Sequence, residues 1–336
     1  MKKNEFRNFV GIDVSKKTFD VWFISNKEIN QGIHQQLSND AAGIRKMFSW
    51  LKKHGEVNVE NTLFCMEHTG IYGRELMYTL FEKNWCVWVE NPVAILRSMG
   101  LQRGKNDKVD AKRIAIYAMK NTERVKLWEA PRKELVQLRQ LLNVRESLIK
   151  GLKILTQPTK EYEATGNNDL AGVMKKLTRC TVKAMEKDIE KIEQAMDELI
   201  KADEKLSHLF GLLMSIPGIG KITSAELICF TNEFKTYTEA RQLACYCGVV
   251  PFEHTSGISI KGKGRVSNMS NKRLKTKLHL CAMIAMQHDA QLKKYFERKV
   301  GEGKNKMSVI NAIRNKLVHR ITAVVKRQTP FVKIAA

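Results

Sequence analysis

The run Phe9-Val10-Gly11-Ile12-Asp13-Val14-Ser15-Lys16 is short and apolar, with one acid set into it. As a strand its side chains alternate, so Asp13 shares a face with Phe9 and Gly11 and opposes Val10, Ile12 and Val14. The next run, Thr18 to Ile24, is rich in β-branched and aromatic residues, and Ser15-Lys16-Lys17 between them reads as a tight hairpin connection. A carboxylate inside a buried strand is costly unless something pairs with it. A divalent cation is the natural pair, and oxygen ligands suit magnesium or manganese. A satisfied aspartate at a strand end accounts for Asp13 alone equally well, so the rest of the chain has to decide.

Working outward, residues 8 to about 120 alternate strand and helix patterns. A weaker third strand covers Ile29 to Leu37. Asn39 and Asp40 cap a helix that carries Ile44, Met47, Phe48 and Leu51 at helical spacing and stops at Gly55. Thr62 to Met66 is a buried strand that ends at Glu67-His68-Thr69-Gly70. A helix from Tyr72 to Lys83, a strand from Trp85 to Val89 and the breaker Asn91-Pro92 follow. A short helix and a basic loop then lead to Asp107-Lys108-Val109-Asp110-Ala111, which opens a helix to about Lys120. This order predicts a mixed sheet flanked by helices. Asp107 and Asp110 lie three apart on one helix face, where two like charges are unfavourable without a counter-ion. Capping of the helix N-terminus is the plainer account of either one.

From Pro131 the character changes. Leu135, Leu138, Leu142, Leu148, Leu152 and Leu155 mark a long helix to about Gln157-Pro158. Tyr162 to Asp169 reads as a polar loop, and Leu170 to Phe210 as one long charged helix striped by Met185, Ile189, Ile192, Met196 and Leu199. Such a pair fits an antiparallel helical hairpin, a coiled-coil contact between copies, or a helix packed on its own domain. Further on, Pro217-Gly218-Ile219-Gly220-Lys221 between two helical patterns resembles a helix-hairpin-helix. There Gly218 and Gly220 would let backbone N–H groups approach a phosphate. No acid occurs between Glu253 and Asp289, a stretch that holds Lys261, Lys263, Arg265, Lys272, Arg273, Lys275 and Lys277. That is a good tracker of a phosphate backbone. Final helices are expected over about 271–297 and 306–328.

Composition points the same way. The 336 residues carry 58 Lys and Arg against 35 Asp and Glu, a net charge of +23. That bias favours a polyanion, nucleic acid first and an anionic membrane surface second. No apolar run approaches the roughly 18 residues of a spanning helix, and no signal peptide is read at the N-terminus. Seven cysteines without a C-x-x-C spacing argue against a zinc knuckle and for reduced core residues in a cytoplasm.

Three blocks now take on a joint meaning: Gly11-Ile12-Asp13-Val14-Ser15-Lys16, Glu67-His68-Thr69-Gly70-Ile71-Tyr72 and Lys105-Asn106-Asp107-Lys108-Val109-Asp110-Ala111. They resemble the acidic blocks of the DEDD insertion-sequence transposases of the IS-one-ten family, which includes Piv-type DNA invertases. Pro217-Gly218-Ile219-Gly220, Gly248-Val249-Val250-Pro251 and Ser256-Gly257 resemble that family's second domain, in the same order. The resemblance spans nearly the whole chain. It implies a RuvC-like (ribonuclease H-like) catalytic domain over 1–130, a helical coiled-coil arm over 131–208 and a C-terminal transposase domain over 209–336. It also implies recombination guided by a structured noncoding RNA, the bridge RNA, which pairs with donor and target DNA. Carried over by position, Asp13, Glu67, Asp107 and Asp110 would hold Mg2+ (or Mn2+), and Ser256 would be the nucleophile of a covalent phosphoserine intermediate. Arg103, Lys105 and Lys108 would join the basic residues above in binding nucleic acid, and the chain would act as a homodimer or homotetramer at the nucleoid. Two departures stand out: Asn106 where the family usually has threonine, and Asn268-Met269-Ser270-Asn271 where it tends to have Lys-x-Gly-Asn. A RuvC-like nuclease that hydrolyses DNA, needing the acids and not Ser256, is the alternative enzyme. A non-catalytic nucleic-acid-binding protein is the alternative of another class.

Overall fold

The computed structural model describes residues 6–68, 70–98, 106–256 and 260–332, with 253–256, 260, 261, 263 and 265 described by their backbone alone. The chain forms two compact units, Met1–Ala130 and Pro131–Ala336.

The first unit is built on strands β1 (Asn8–Val14), β2 (Thr18–Ile24), β3 (Ile33–Ser38), β4 (Thr62–Glu67) and β5 (Cys86–Glu90). Helices α1 (Ala41–His54), α2 (Arg74–Glu82), α3 (Pro92–Ser98) and α4 (Asp107–Lys120) alternate with them. The sheet order is β3-β2-β1-β4-β5. β1, β2 and β3 pair antiparallel, whereas β1, β4 and β5 pair parallel. Ser15 closes the first hairpin, its N–H and its hydroxyl both donating to the Thr18 carbonyl at 2.9 and 2.8 Å. Alternation along β1 then assigns the two faces. Val10, Ile12 and Val14 join Ile44, Met47 and Leu51 of α1 and Leu76, Met77 and Leu80 of α2 in one core. Phe9 joins Leu63, Cys65, Trp88 and the α4 residues Ile114, Ala115 and Ala118 in the other. Asp13 therefore lies on the face that α4 covers.

The second unit holds α5 (Lys133–Ala164), α6 (Asn168–Ala202), α7 (Glu204–Met214), α8 (Lys221–Phe230) and α9 (Ala240–Tyr246). A two-stranded sheet of β6 (Pro251–Ser256) and β7 (Ile260–Val266) follows, then α10 (Lys272–His288), α11 (Ala290–Gly301) and α12 (Lys306–Arg327). α5 and α6 form a long antiparallel pair. α5 runs straight through Pro158, seven residues beyond the expected stop at Gln157. A proline inside a helix removes one backbone bond, and burial of Thr159 and Ala171 at that end of the pair offsets the loss. Two expected long helices are instead cut by aspartates. Asp203 ends α6 and accepts from Leu206 N–H at 2.8 Å to cap α7. Asp289 ends α10 and accepts from Leu292 N–H at 3.0 Å to cap α11. Leu206, Leu209, Leu212 and Leu213 of α7 belong to the large helical core that also takes in α8, α10 and α12. The β6–β7 hairpin was not expected from the sequence, which read this stretch as a basic run.

Candidate active site

Gly11 sets the geometry. A Cβ there would stand 2.2 Å from the Ala115 nitrogen and 2.3 Å from the Ala111 carbonyl oxygen of α4. Only a residue without a side chain lets α4 lie directly on β1. That contact fixes the first turn of α4, and with it Asp107 and Asp110, next to the end of β1 that carries Asp13. Asn106 caps this helix, accepting from Lys108 N–H at 3.0 Å. Asparagine is as good an N-cap as threonine or better, so this departure from the family pattern keeps the local structure.

The parallel pairing of β1 and β4 brings in the next acid. Ile12 pairs with Met66, so Asp13 and Glu67 close the same end of adjacent strands. A fifth carboxylate, which sequence reasoning did not single out, is Asp20, the cross-strand partner of Asp13. It is buried, pairs with His34 Nε2 at 2.6 Å and accepts from Gln36 Nε2 at 3.1 Å. Its signal in the sequence was the same as that of Asp13: an acid set into an apolar, β-branched run. Glu90 lies opposite Glu67 in β5 and accepts from the Tyr117 hydroxyl of α4 at 3.1 Å.

These charges act on one another. Burial pushes the Asp13 carboxyl up to about 6, and repulsion from Glu67, Asp107, Asp110 and Asp20 adds to it. Asp110 is paired with Arg113 at 2.6 Å, and Asp107 is exposed at the first turn of α4. Among the described residues no three Asp, Glu, His or Cys side chains converge at ligand distance on one point. The four acids thus share one field without forming a closed cage. An all-oxygen donor set whose charges repel at Asp13 fits a hard divalent cation, which would relieve the repulsion that helps raise Asp13.

Ser256 is in the other unit, the last residue of β6, paired in register with Ile260 of β7.

Two family profiles match the chain in order. The DEDD transposase profile of the IS110 group, described as "Transposase", matches residues 10–159. A profile described as "Transposase IS116/IS110/IS902 family" matches residues 211–297. The chain belongs to the IS116/IS110/IS902 transposase family. It is similar to the pilin gene-inverting proteins of Moraxella bovis and Moraxella lacunata, each 29% identical over 97% of this chain and 98% of the relative. It is also similar to the transposase for insertion sequence element IS1111A of Coxiella burnetii, 26% identical over 69% of each chain. The protein is accordingly a DNA transposase/recombinase of the DEDD type, a class whose active site depends on a divalent metal. The blocks quoted from the sequence lie inside the matched ranges, those around Asp13, Glu67 and Asp107 in the first and those from Pro217 to Gly257 in the second.

The basic residues of this transposase divide into several groups. Arg103 and Lys105 lie outside the described residues, and for Lys261, Lys263 and Arg265 only the β7 backbone is described. Lys108 and Lys272 are exposed at the first turns of α4 and α10. Lys275 lies beside Gly248, whose φ of +65° and contact with Ser270 leave no room for a side chain. Lys221 is paired with Asp197 of α6 at 2.8 Å. Arg273 is held by acids of its own unit. Its guanidinium turns inward, to Glu226 at 2.9 Å and Glu146 at 2.6 Å, and stacks over Phe230. Glu226 is almost wholly buried and needs that partner, which the linear sequence did not reveal. Gly218, read as a phosphate-approach glycine, has φ +89° and backs onto α10, with the Cys281 carbonyl 2.6 Å from where a Cβ would stand. Gly220 is open and immediately precedes α8.

Proposed function

We propose that this transposase cuts and rejoins DNA through two chemical groups: the acids Asp13, Glu67, Asp107 and Asp110, and the hydroxyl of Ser256. The observation that carries the acidic half is the docking of α4 on Gly11, which brings the acids of the helix to the strand end bearing Asp13 and Glu67. Magnesium, or manganese, bound there would polarise the scissile phosphate. Asp13, Glu67, Asp107 and Asp110 hold the cation. Ser256 Oγ forms a bond to phosphorus as the bond from phosphorus to the 3′ oxygen breaks. The hydroxyl proton of Ser256 leaves to a base, and the departing 3′ oxygen leaves as a hydroxyl. The phosphoserine link conserves the phosphodiester energy, so a second 3′ hydroxyl reseals the strand and frees the serine without ATP.

In this reading the α5–α6 pair is the coiled-coil arm, the Pro217–Lys221 turn is a helix-hairpin-helix-like contact, and the acids and the serine of different copies in a homodimer or homotetramer complete one centre. The pilin gene-inverting relatives support inversion of a DNA segment as the outcome, and the IS1111A transposase supports transposition of an insertion element. A structured noncoding RNA encoded by the element chooses donor and target, which accords with the net charge of +23. No described helix is long and apolar enough to cross a membrane, and the work is assigned to the cytoplasm. The test is strand exchange on a plasmid bearing the element's junction, with its RNA supplied. Asp13→Asn and Ser256→Ala each abolish exchange while both variants keep the wild-type circular dichroism. Exchange at the wild-type rate by Ser256→Ala would overturn the covalent mechanism.

A further inference from the structure

α11 and α12 run side by side in the second unit, joined by the turn Glu302-Gly303-Lys304-Asn305, and a cleft of about 750 Å³ opens between them. Its walls include Lys294, Tyr295 and Arg298 from α11 and Asn315, Lys316 and His319 from α12. Among the described residues no carboxylate lines it. Arg320, at one end, is neutralised at close range by Asp289, at 2.5 Å.

The cations of this cleft are held in an unusual way. Lys316 Nζ stands 4.6 Å from the centre of the Tyr295 ring, and the Arg298 guanidinium 5.8 Å from the same ring. An aromatic face orients a cation without cancelling its charge, whereas a carboxylate does both. Arg298 has only a loose contact with Glu302, at 3.8 Å on the outer surface. The cleft thus presents oriented, largely uncompensated positive charge, which suits phosphate. Asn315 adds a second, independent feature. Its Oδ1 is buried and has no hydrogen-bond donor among the described residues. A buried acceptor left unmet is costly; Asn315 lines the cleft, and a turn of its amide toward the opening would let an N–H from a ligand relieve it.

Phosphate oxygens and an N–H donor occur together in a nucleotide. We propose that the α11–α12 cleft is a binding site for an unpaired nucleotide of a single-stranded nucleic-acid segment. Lys294, Arg298 and Lys316 contact the phosphates on either side of it, and Asn315 Oδ1 accepts from the exocyclic amino group of its base. A duplex presents its base edges inside grooves and its phosphates on a convex surface, so it cannot offer both to a narrow cleft. RNA and single-stranded DNA share the required chemistry. The site acts on binding alone and does not rest on Ser256 or on the acidic centre.

The test uses the full-length chain carrying Asp13→Asn, in EDTA, so that no strand is cut. Fluorescence anisotropy measures binding of a short unstructured RNA, the DNA strand of the same sequence, and the corresponding DNA duplex. Lys294→Ala/Lys316→Ala is expected to weaken single-strand binding about tenfold and to lower the salt slope by about 1.4, the loss of two phosphate contacts. Asn315→Leu, which fills the same space without an acceptor, is expected to weaken binding of amino-bearing bases several-fold and to leave duplex binding unchanged. Lys187→Ala/Lys201→Ala on α6 serves as the charge-matched control. Losses confined to RNA, confined to DNA, or seen with both single strands all support the cleft and identify its source of ligand. Losses no larger than the control's, or equal losses for single strand and duplex, overturn it.

Discussion

Asp13 is an acid whose ionisation the fold resists. Its folded value, about 6, lies above the ordinary 3.8. Between those two values the folded chain keeps a proton that the unfolded chain has released, so stability falls as pH rises through that window. Above about 6 the full penalty is present. Asp13→Asn is therefore expected to raise the melting temperature in EDTA at pH 7.5 and to give no gain below pH 3.8. Magnesium should raise the melting temperature of the wild type and do little for the variant. Equal melting temperatures for the two proteins at pH 7.5 would contradict the field of acids described here. Asp13 was legible as a candidate because an acid interrupts an apolar run. Asp20 had the same mark and was passed over, because cross-strand pairing is needed to see that it faces Asp13. The role of Gly11 was not legible either. Nothing in a linear sequence says that a helix about a hundred residues later will press on it.

At the scale of elements, the acidic centre depends on one helix lying on one strand. Gly11→Ala inserts a methyl group where α4's backbone already stands. Overpacking of this kind typically costs about 1–3 kcal/mol, so the variant is expected to fold, with a lower denaturation midpoint. It should lose strand exchange far beyond that stability loss, because the helix carrying Asp107 and Asp110 must shift. The check is to compare urea denaturation with exchange rate in one preparation. A second junction is Arg132, just before α5. It joins Asp203 at 2.6 Å, where α6 gives way to α7, and the buried Glu233 at 2.5 Å. Arg132→Ala leaves Glu233 with Lys205 alone, and breaking a buried pair in this way costs about 3–5 kcal/mol, measurable by urea denaturation. The long apolar periodicities were legible and gave the helices. The two aspartate breaks were not, since Asp203 and Asp289 read as ordinary polar positions until Arg132 and Arg320 are seen to hold them. The reverse error came at Pro158, where local propensity argued for a stop and packing against α6 prevailed. In the β6–β7 hairpin, the alternation of Lys261, Lys263 and Arg265 with Gly262 and Gly264 was a period-two signal that the charge itself obscured.

At the scale of the molecule, the two units divide the proposed chemistry: the acids in Met1–Ala130 and Ser256 in Pro131–Ala336. The excess of cations predicts binding to nucleic acid that weakens steeply with salt. If the acids hold metal, removing magnesium should abolish cutting and leave that binding largely intact, as read by anisotropy in EDTA. Family membership was legible because several weak blocks occur in one order, a property that survives where single motifs are ambiguous. The division of labour between acids and serine rests on that order and on the α4–β1 contact. It is tested most directly on a denaturing gel. The protein with its RNA is incubated with magnesium and end-labelled DNA carrying the element's junction. The account expects a labelled band at protein size, absent with Ser256→Ala and absent with Asp13→Asn. Cleaved DNA without a protein adduct, formed equally by Ser256→Ala, would contradict it and leave a hydrolytic nuclease in its place.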